Sequence, residues 1–128
     1  MSDIPQDLLY TEEHEYLKKV GDGVFVVGVT DYAQGELGDV VFVELPTVGD
    51  SFGKMESFGT IEAVKAVSDL FCPVAGDIVE ANGNLQDDPS LVNSDPFGAG
   101  WMVKLKVADA GDLDGLMDAA SYAAHVGD

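Results

Sequence analysis

One lysine stands out from its surroundings. Lys65 sits in Gly59-Thr60-Ile61-Glu62-Ala63-Val64-Lys65-Ala66-Val67-Ser68-Asp69, among small and apolar residues, with one acid three positions before it and another four after. A lone amine there is chemically accessible, although an ordinary solvated lysine would fit the same pattern. Other reactive groups assemble into less. His14 and His125 are the only histidines, and neither stands at metal-ligand spacing with a second histidine or a cysteine. Cys72 is the single cysteine, which excludes an internal disulfide and a thiolate-rich zinc site. No Gly-x-Ser-x-Gly elbow, phosphate loop or dinucleotide fingerprint occurs, since Gly98-Ala99-Gly100 runs into Trp101 and a strand pattern where a helix would be needed. Asp112-Leu113-Asp114-Gly115 looks superficially like a calcium loop, but its first and twelfth positions would be Ala110 and Ser121. The abundant acids include no pair placed in an apolar setting that would separate their pKa values. A chain with no catalytic constellation and no metal site reads as a carrier or binding module, with no catalytic residues of its own.

The elements that must hold Lys65 are mostly β. Alternating β-branched and aromatic residues predict strands over 24–29 and 40–45, with further strand-like pieces at 57–61, 75–80 and 101–107, punctuated by Gly, Asp and Pro. Between the first two, Asp31 to Leu37 predicts one short helix, with an N-cap at Thr30 or Asp31 and a closing Gly38. Residues 82–100 are turn-rich and read as a long ordered surface loop. A capping helix is expected near the end, where Leu113, Leu116, Met117 and Ala120 recur at helical spacing behind acidic residues. Around Lys65 local periodicity permits a hairpin tip or a helix, because Val64, Val67 and Phe71 also share one helical face. Gly49-Asp50 and Gly76-Asp77 lie on either side of this segment and hint at two half-units, though such dipeptides are common turn formers.

Length fits a single domain over 1–128, and 46% hydrophobic residues suffice for one core. With 24 acidic residues against 6 lysines the formal charge is −18. Such a surface repels phosphate backbones and anionic lipid, so nucleic acid and membrane are poor partners. The acidity fits steering toward positively charged partners or adaptation to a saline cytoplasm, and composition does not separate the two. The first residues, Met1 to Asp7, lack the basic and apolar blocks of a signal peptide, and no apolar run is long enough to span a bilayer. A cytoplasmic location is expected, or a mitochondrial matrix if a transit segment was removed.

Beyond these patterns the chain resembles the H-protein family of the glycine cleavage system, whose lipoylated lysine lies in a Glu-Ser-Val-Lys-Ala-type motif. Glu62-Ala63-Val64-Lys65-Ala66 matches it, with alanine at the frequent serine. The similarity continues through Tyr10-Thr11-Glu12-Glu13-His14-Glu15-Tyr16, Val27 to Gln34, Leu37 to Pro46 and Leu91 to Trp101. It implies a flattened β-barrel or sandwich of the lipoyl/biotinyl-carrier type, a barrel-sandwich hybrid of two small sheets with approximate twofold symmetry, plus a C-terminal helix. Lys65 would carry covalent lipoic acid at a β-hairpin tip, and Glu62 would belong to the attachment motif. The arm, roughly 14 Å long by summing bonds, would visit separate active sites. The implied partners are a pyridoxal-phosphate glycine decarboxylase, a tetrahydrofolate-dependent aminomethyltransferase, an FAD-containing dihydrolipoyl dehydrogenase and a lipoate-attaching enzyme, serving a monomeric carrier.

By the same resemblance, Glu15 and Asp69 match the acidic positions of a cleft that shelters the loaded arm, with Tyr32 as a further contact. Glu13, Tyr16 and Tyr32 stand where the family often has serine, tryptophan and histidine; for the two tyrosines aromatic packing is the plainer role. Cys72 would fall on the strand leaving the hairpin, as a small hydrophobe or within reach of a reduced arm. A lipoyl domain of a 2-oxoacid dehydrogenase would bring a Pro/Ala-rich linker, and a biotin carrier would need methionines at Val64 and Ala66. A small acid-dependent hydrolase and a lipoyl donor to other proteins are the remaining alternatives.

Overall fold

The structure, a computed structural model, describes residues 4–127; Met1, Ser2 and Asp3 of the acidic N-terminal stretch lie outside it, as does Asp128. Among the described residues, nine strands form two antiparallel sheets. The larger contains β1 (Leu9–Tyr10), β2 (Glu15–Gly21), β3 (Val24–Val29), β5 (Ser51–Phe52), β8 (Gly76–Ala81) and β9 (Val103–Val107), in the spatial order β1-β2-β3-β9-β8-β5. The smaller contains β4 (Val40–Glu44), β6 (Ser57–Ala63) and β7 (Val67–Phe71), with β6 in the centre. Both the mostly β architecture and the two-sheet sandwich expected from the resemblance are present, with sheets of unequal size.

The core forms because alternate residues of each strand turn inward. Phe25, Val27 and Val29 of β3 meet Val43 of β4, Ile61 of β6 and Leu70 of β7 between the sheets, all buried. On the outer side of the larger sheet, Val26 packs with Tyr10, Tyr16 and Tyr122 in a second cluster. Tyr16 lies opposite Gly28, where any Cβ would come within 2.8 Å of the tyrosine ring, so the bare backbone makes room for it.

Short helices close the ends. α1 (Asp31–Leu37) begins at Thr30, whose hydroxyl accepts from the Ala33 N–H, and stops at Gly38, as the sequence predicts. The segment 82–100 folds into two further turns, α2 (Asn84–Asp87) and α3 (Leu91–Ser94), which bury Leu85 and Val92. The helix expected around Leu113 to Ala120 begins later. Residues Ala110–Gly115 form a 3₁₀ turn, Met117 pairs with Tyr10 in a β-bridge, and α4 (Ala119–Val126) starts from an Asp118 N-cap. The bridge binds the Met117 backbone to a neighbouring strand, which is incompatible with helix there. Gly49-Asp50 and Gly76-Asp77 come together: β5 pairs with β8, and the Gly49 N–H donates to the Ile78 carbonyl.

Candidate functional site

Lys65 stands at the tip of the β6–β7 hairpin, exposed to solvent, which resolves the hairpin-or-helix ambiguity in favour of the hairpin. Its amine is free while its backbone is fixed. The Ala63 N–H donates to the Ala66 carbonyl at 2.9 Å, the Val64 N–H to Asp39 at 2.9 Å and the Lys65 N–H to Leu37 at 3.2 Å. The tip is thus braced from the side by the turn linking α1 to β4. Asn93 of α3 ties that turn down, accepting from the Val40 N–H and donating to the Gly38 carbonyl and the Gln34 side chain.

Gly38 occupies φ 80°, ψ −161°, a region open essentially only to glycine, and the lysine stem lies across it. A Cβ built there would approach Lys65 Cγ to 3.1 Å. Gly38→Ala is therefore expected to lower stability by about 1–3 kcal/mol through backbone strain, measured by urea denaturation. A loss below a few tenths of a kcal/mol would show that the turn relaxes freely.

Beside the hairpin lies a recess of about 150 Å³, whose lining includes His14 and Glu15, Leu37 of α1, and Ser68 and Asp69 of β7. It brings together Glu15 and Asp69, which are 54 positions apart in sequence. Asp69 is exposed on β7, while Glu15 is 2% exposed, with its carboxylate accepting from the Thr11 hydroxyl at 2.9 Å. Burial pushes the Glu15 carboxyl up to about 8, against the opposing pull of the Thr11 hydroxyl and the Phe71 backbone. Glu15 is therefore mainly a neutral acid at pH 7.

This has a consequence for folding. From an ordinary value of 4.5 to about 8, the folded chain keeps a proton that the unfolded chain releases, so stability falls as pH rises through that window and levels off above it. At about 1.4 kcal/mol per pKa unit the upper bound is several kcal/mol. Glu15→Gln keeps the acceptor for Thr11 and removes the titration. Its stability is expected to exceed that of the parent at pH 8 and to match it near pH 4, in urea melts. Parallel pH profiles for the two proteins would contradict the buried-acid reading.

His14 takes a left-handed backbone, φ 69°, at the turn between β1 and β2, and its Nδ1 lies 2.8 Å from the Tyr122 hydroxyl. That hydroxyl is also 2.7 Å from Thr30 Oγ1, so α4 braces two sides of the recess, the His14 turn and the start of α1. Burial, then the neighbouring His125, holds the His14 pKa below its ordinary value. Tyr32, expected as a cleft contact, is not among the residues that line the recess; it packs on His14, with ring centroids 4.9 Å apart. Tyr16 belongs to the packing instead: its hydroxyl donates to the Pro96 carbonyl at 2.6 Å and its ring meets Phe97. Glu62 is exposed on the outer face of the small sheet. Cys72 is 1% exposed, donates to the Val74 carbonyl, and has its thiol pushed up to about 11 by burial, the behaviour of a small core hydrophobe.

Sequence reasoning did not single out Thr11, Tyr122 or Asn93, whose roles depend on partners remote in sequence. Asn93 falls only within the turn-rich segment 82–100 and the matched block Leu91 to Trp101. The donor set fits a covalently tethered acyl arm: one exposed amine on a braced turn, no bulky side chain beneath its stem, and an acid-lined recess alongside. Among the described residues no group of His, Cys, Asp and Glu could hold a metal ion, and no helix is long and apolar enough to cross a membrane.

The family model described as Glycine cleavage H-protein matches residues 8–128. A glycine cleavage system H protein of Chlorobium phaeovibrioides is 58% identical over 125 residues, 97% of this chain and 98% of its own. One from Chromobacterium violaceum is 53% identical over 127 residues, 99% of each. The crystal structure of a glycine cleavage system H protein from Mycobacterium marinum superposes with a TM-score of 0.88 at 41% identity, covering 97% of this chain and 99% of that one. Matched over nearly its whole length in sequence and in overall fold, the chain belongs to the glycine cleavage H-protein family.

Proposed function

We propose that Lys65 is the lipoyl attachment site through which this chain carries the aminomethyl group of glycine between enzymes. Family membership makes the chain a carrier subunit of the glycine cleavage system and not one of its catalysts. The observation that supports Lys65 is its exposed amine on a hairpin tip braced by Leu37 and Asp39, directly beside the recess of Glu15 and Asp69. When attached, lipoate supplies a dithiolane that accepts the aminomethyl cargo and is later reoxidised, chemistry that belongs to the cofactor and the client enzymes. The chain's residues present and shelter it. Lys65 fixes the pivot, and Glu62 marks the attachment motif. Glu15 and Asp69 hold the cargo's cationic amine, with Tyr32 supporting His14 at the edge of the recess.

Glycine decarboxylase, the tetrahydrofolate-dependent aminomethyltransferase and dihydrolipoyl dehydrogenase are the clients, and a lipoate-attaching enzyme prepares the carrier. We assign it a monomeric state and a cytoplasmic location. A single-turnover reconstitution tests the function: lipoylated chain, glycine decarboxylase and glycine should release about one carbon dioxide per carrier, and unmodified chain none. Equal release by the unmodified chain, or none by the lipoylated one, would contradict it.

A further inference from the structure

We propose that Val41, Phe42, Val64 and Val67 form the docking face for the enzyme that attaches the cofactor to Lys65, a partner with an apolar seat rimmed by basic side chains. The proposal rests on Lys65 being the attachment site. Among the described residues eight large hydrophobics are exposed, and four of them flank this one lysine. Val64 is 72% exposed, Val67 66%, Val41 58% and Phe42 43%.

Strand register explains why they converge. Phe42 of β4 pairs with Glu62 of β6, and Glu62 pairs with Val67 of β7. The adjacent Val43 and Ile61 point into the core, so the row Phe42–Glu62–Val67 faces outward. Val41 lies at the register shift between Val40 and Phe42, and Val64 is on the tip itself. Four exposed apolar side chains thus gather on and beside one outward sheet face, around Glu62 and next to a reactive amine, and exposed apolar groups clustered within a charged surround mark an interaction surface.

Charge and reach select the occupant. Asp39, Glu44 and Glu62 are exposed on this row or at its end. The other five lysines lie on β2, on β9 and at Lys54, so Lys65 is the one cation on the small sheet and its hairpin. A second copy of the chain would bring acid against acid across a twofold contact, on a background of −18 net charge. A basic rim complements the row instead. An enzyme that acylates the bare amine must also come close, because a lysine side chain spans only about 6 Å from Cα to Nζ. A client that takes the end of the extended arm can stand well clear of the sheet.

The test uses the full-length unmodified chain, a lipoate–protein ligase, lipoate and ATP, with attachment to Lys65 read by mass spectrometry at varied carrier concentration. Phe42→Ser with Val67→Ser is expected to raise KM for the carrier about tenfold, the equivalent of about 1.4 kcal/mol, with kcat within about twofold. Phe42→Leu with Val67→Ile should restore it. Both sites are exposed, so the fold should persist. If the double variant does not fold, Val64→Ser at the tip replaces it and should raise KM severalfold. Once fully lipoylated and chemically reduced to the dithiol, the variant should be reoxidised by dihydrolipoyl dehydrogenase, with NAD+ as electron acceptor, as well as the parent. An unchanged KM in a folded variant overturns the proposal, as does an equal loss with the dehydrogenase, or a parent dimer that the substitutions dissociate while KM stays the same. Failure of the parent itself to be modified on Lys65 defeats the proposed function and takes the docking face with it. Modification of the parent with no effect of the variant defeats the docking face alone.

Discussion

Lys65→Arg is expected to abolish both lipoylation and support of glycine cleavage, to below detection. Arginine keeps the positive charge and much of the stem, but its delocalised guanidinium does not form the stable amide that a lysine amine does. Stability should hardly move, because the side chain is exposed and the turn is held by backbone bonds from Val64 and Lys65 to Asp39 and Leu37. An unchanged urea melt alongside complete loss of carrier activity would separate chemistry from folding. Residual activity in the variant would place the cofactor elsewhere on the chain.

The second large effect concerns the loaded carrier. Glu15→Gln with Asp69→Asn should leave attachment to Lys65 intact, since neither residue lies on the hairpin tip, and should speed spontaneous release of formaldehyde and ammonia from the loaded protein by roughly tenfold. Asp69, exposed at the recess, offers a carboxylate to an incoming amine. Glu15 meets it differently. Burial keeps its proton at neutral pH, so it holds the cation as a charged partner only by giving that proton up, and the arriving positive charge favours this. Protection should therefore strengthen as pH rises toward 8, and the pH dependence should vanish in Glu15→Gln. A hydrogen bond to a charged group is worth about 1.5–3 kcal/mol, with less from Asp69 because water screens it. Unchanged release in the double variant would mean that other groups hold the arm, with Tyr32 and backbone donors next in line.

Much of the strand framework is legible in the sequence because core strands such as Val24–Val29 carry a run of β-branched and aromatic residues broken only by Gly28. β2 is harder to see, since Lys18 and Lys19 dilute its pattern, and β7 presents Val67, Ser68 and Asp69 to solvent with only Leu70 fully buried. Around Lys65 the choice between hairpin and helix depends on the bonds to Leu37 and Asp39, which no local window contains. The C-terminal helix begins later than its apolar spacing suggests because the Tyr10 bridge holds Met117. The recess was legible only by resemblance. Its walls come from the β1–β2 turn, α1 and β7, and nothing in the composition distinguishes the buried Glu15 from the solvated acids around it.

Peptide mapping of the intact chain, produced in a lipoate-competent host and read by mass spectrometry, tests the central claim most directly. A single lipoyl increment is expected, confined to the peptide that contains Lys65. An increment on Lys18, Lys19, Lys54, Lys104 or Lys106, or a chain that stays unmodified in the presence of active attaching enzyme and lipoate, would contradict it.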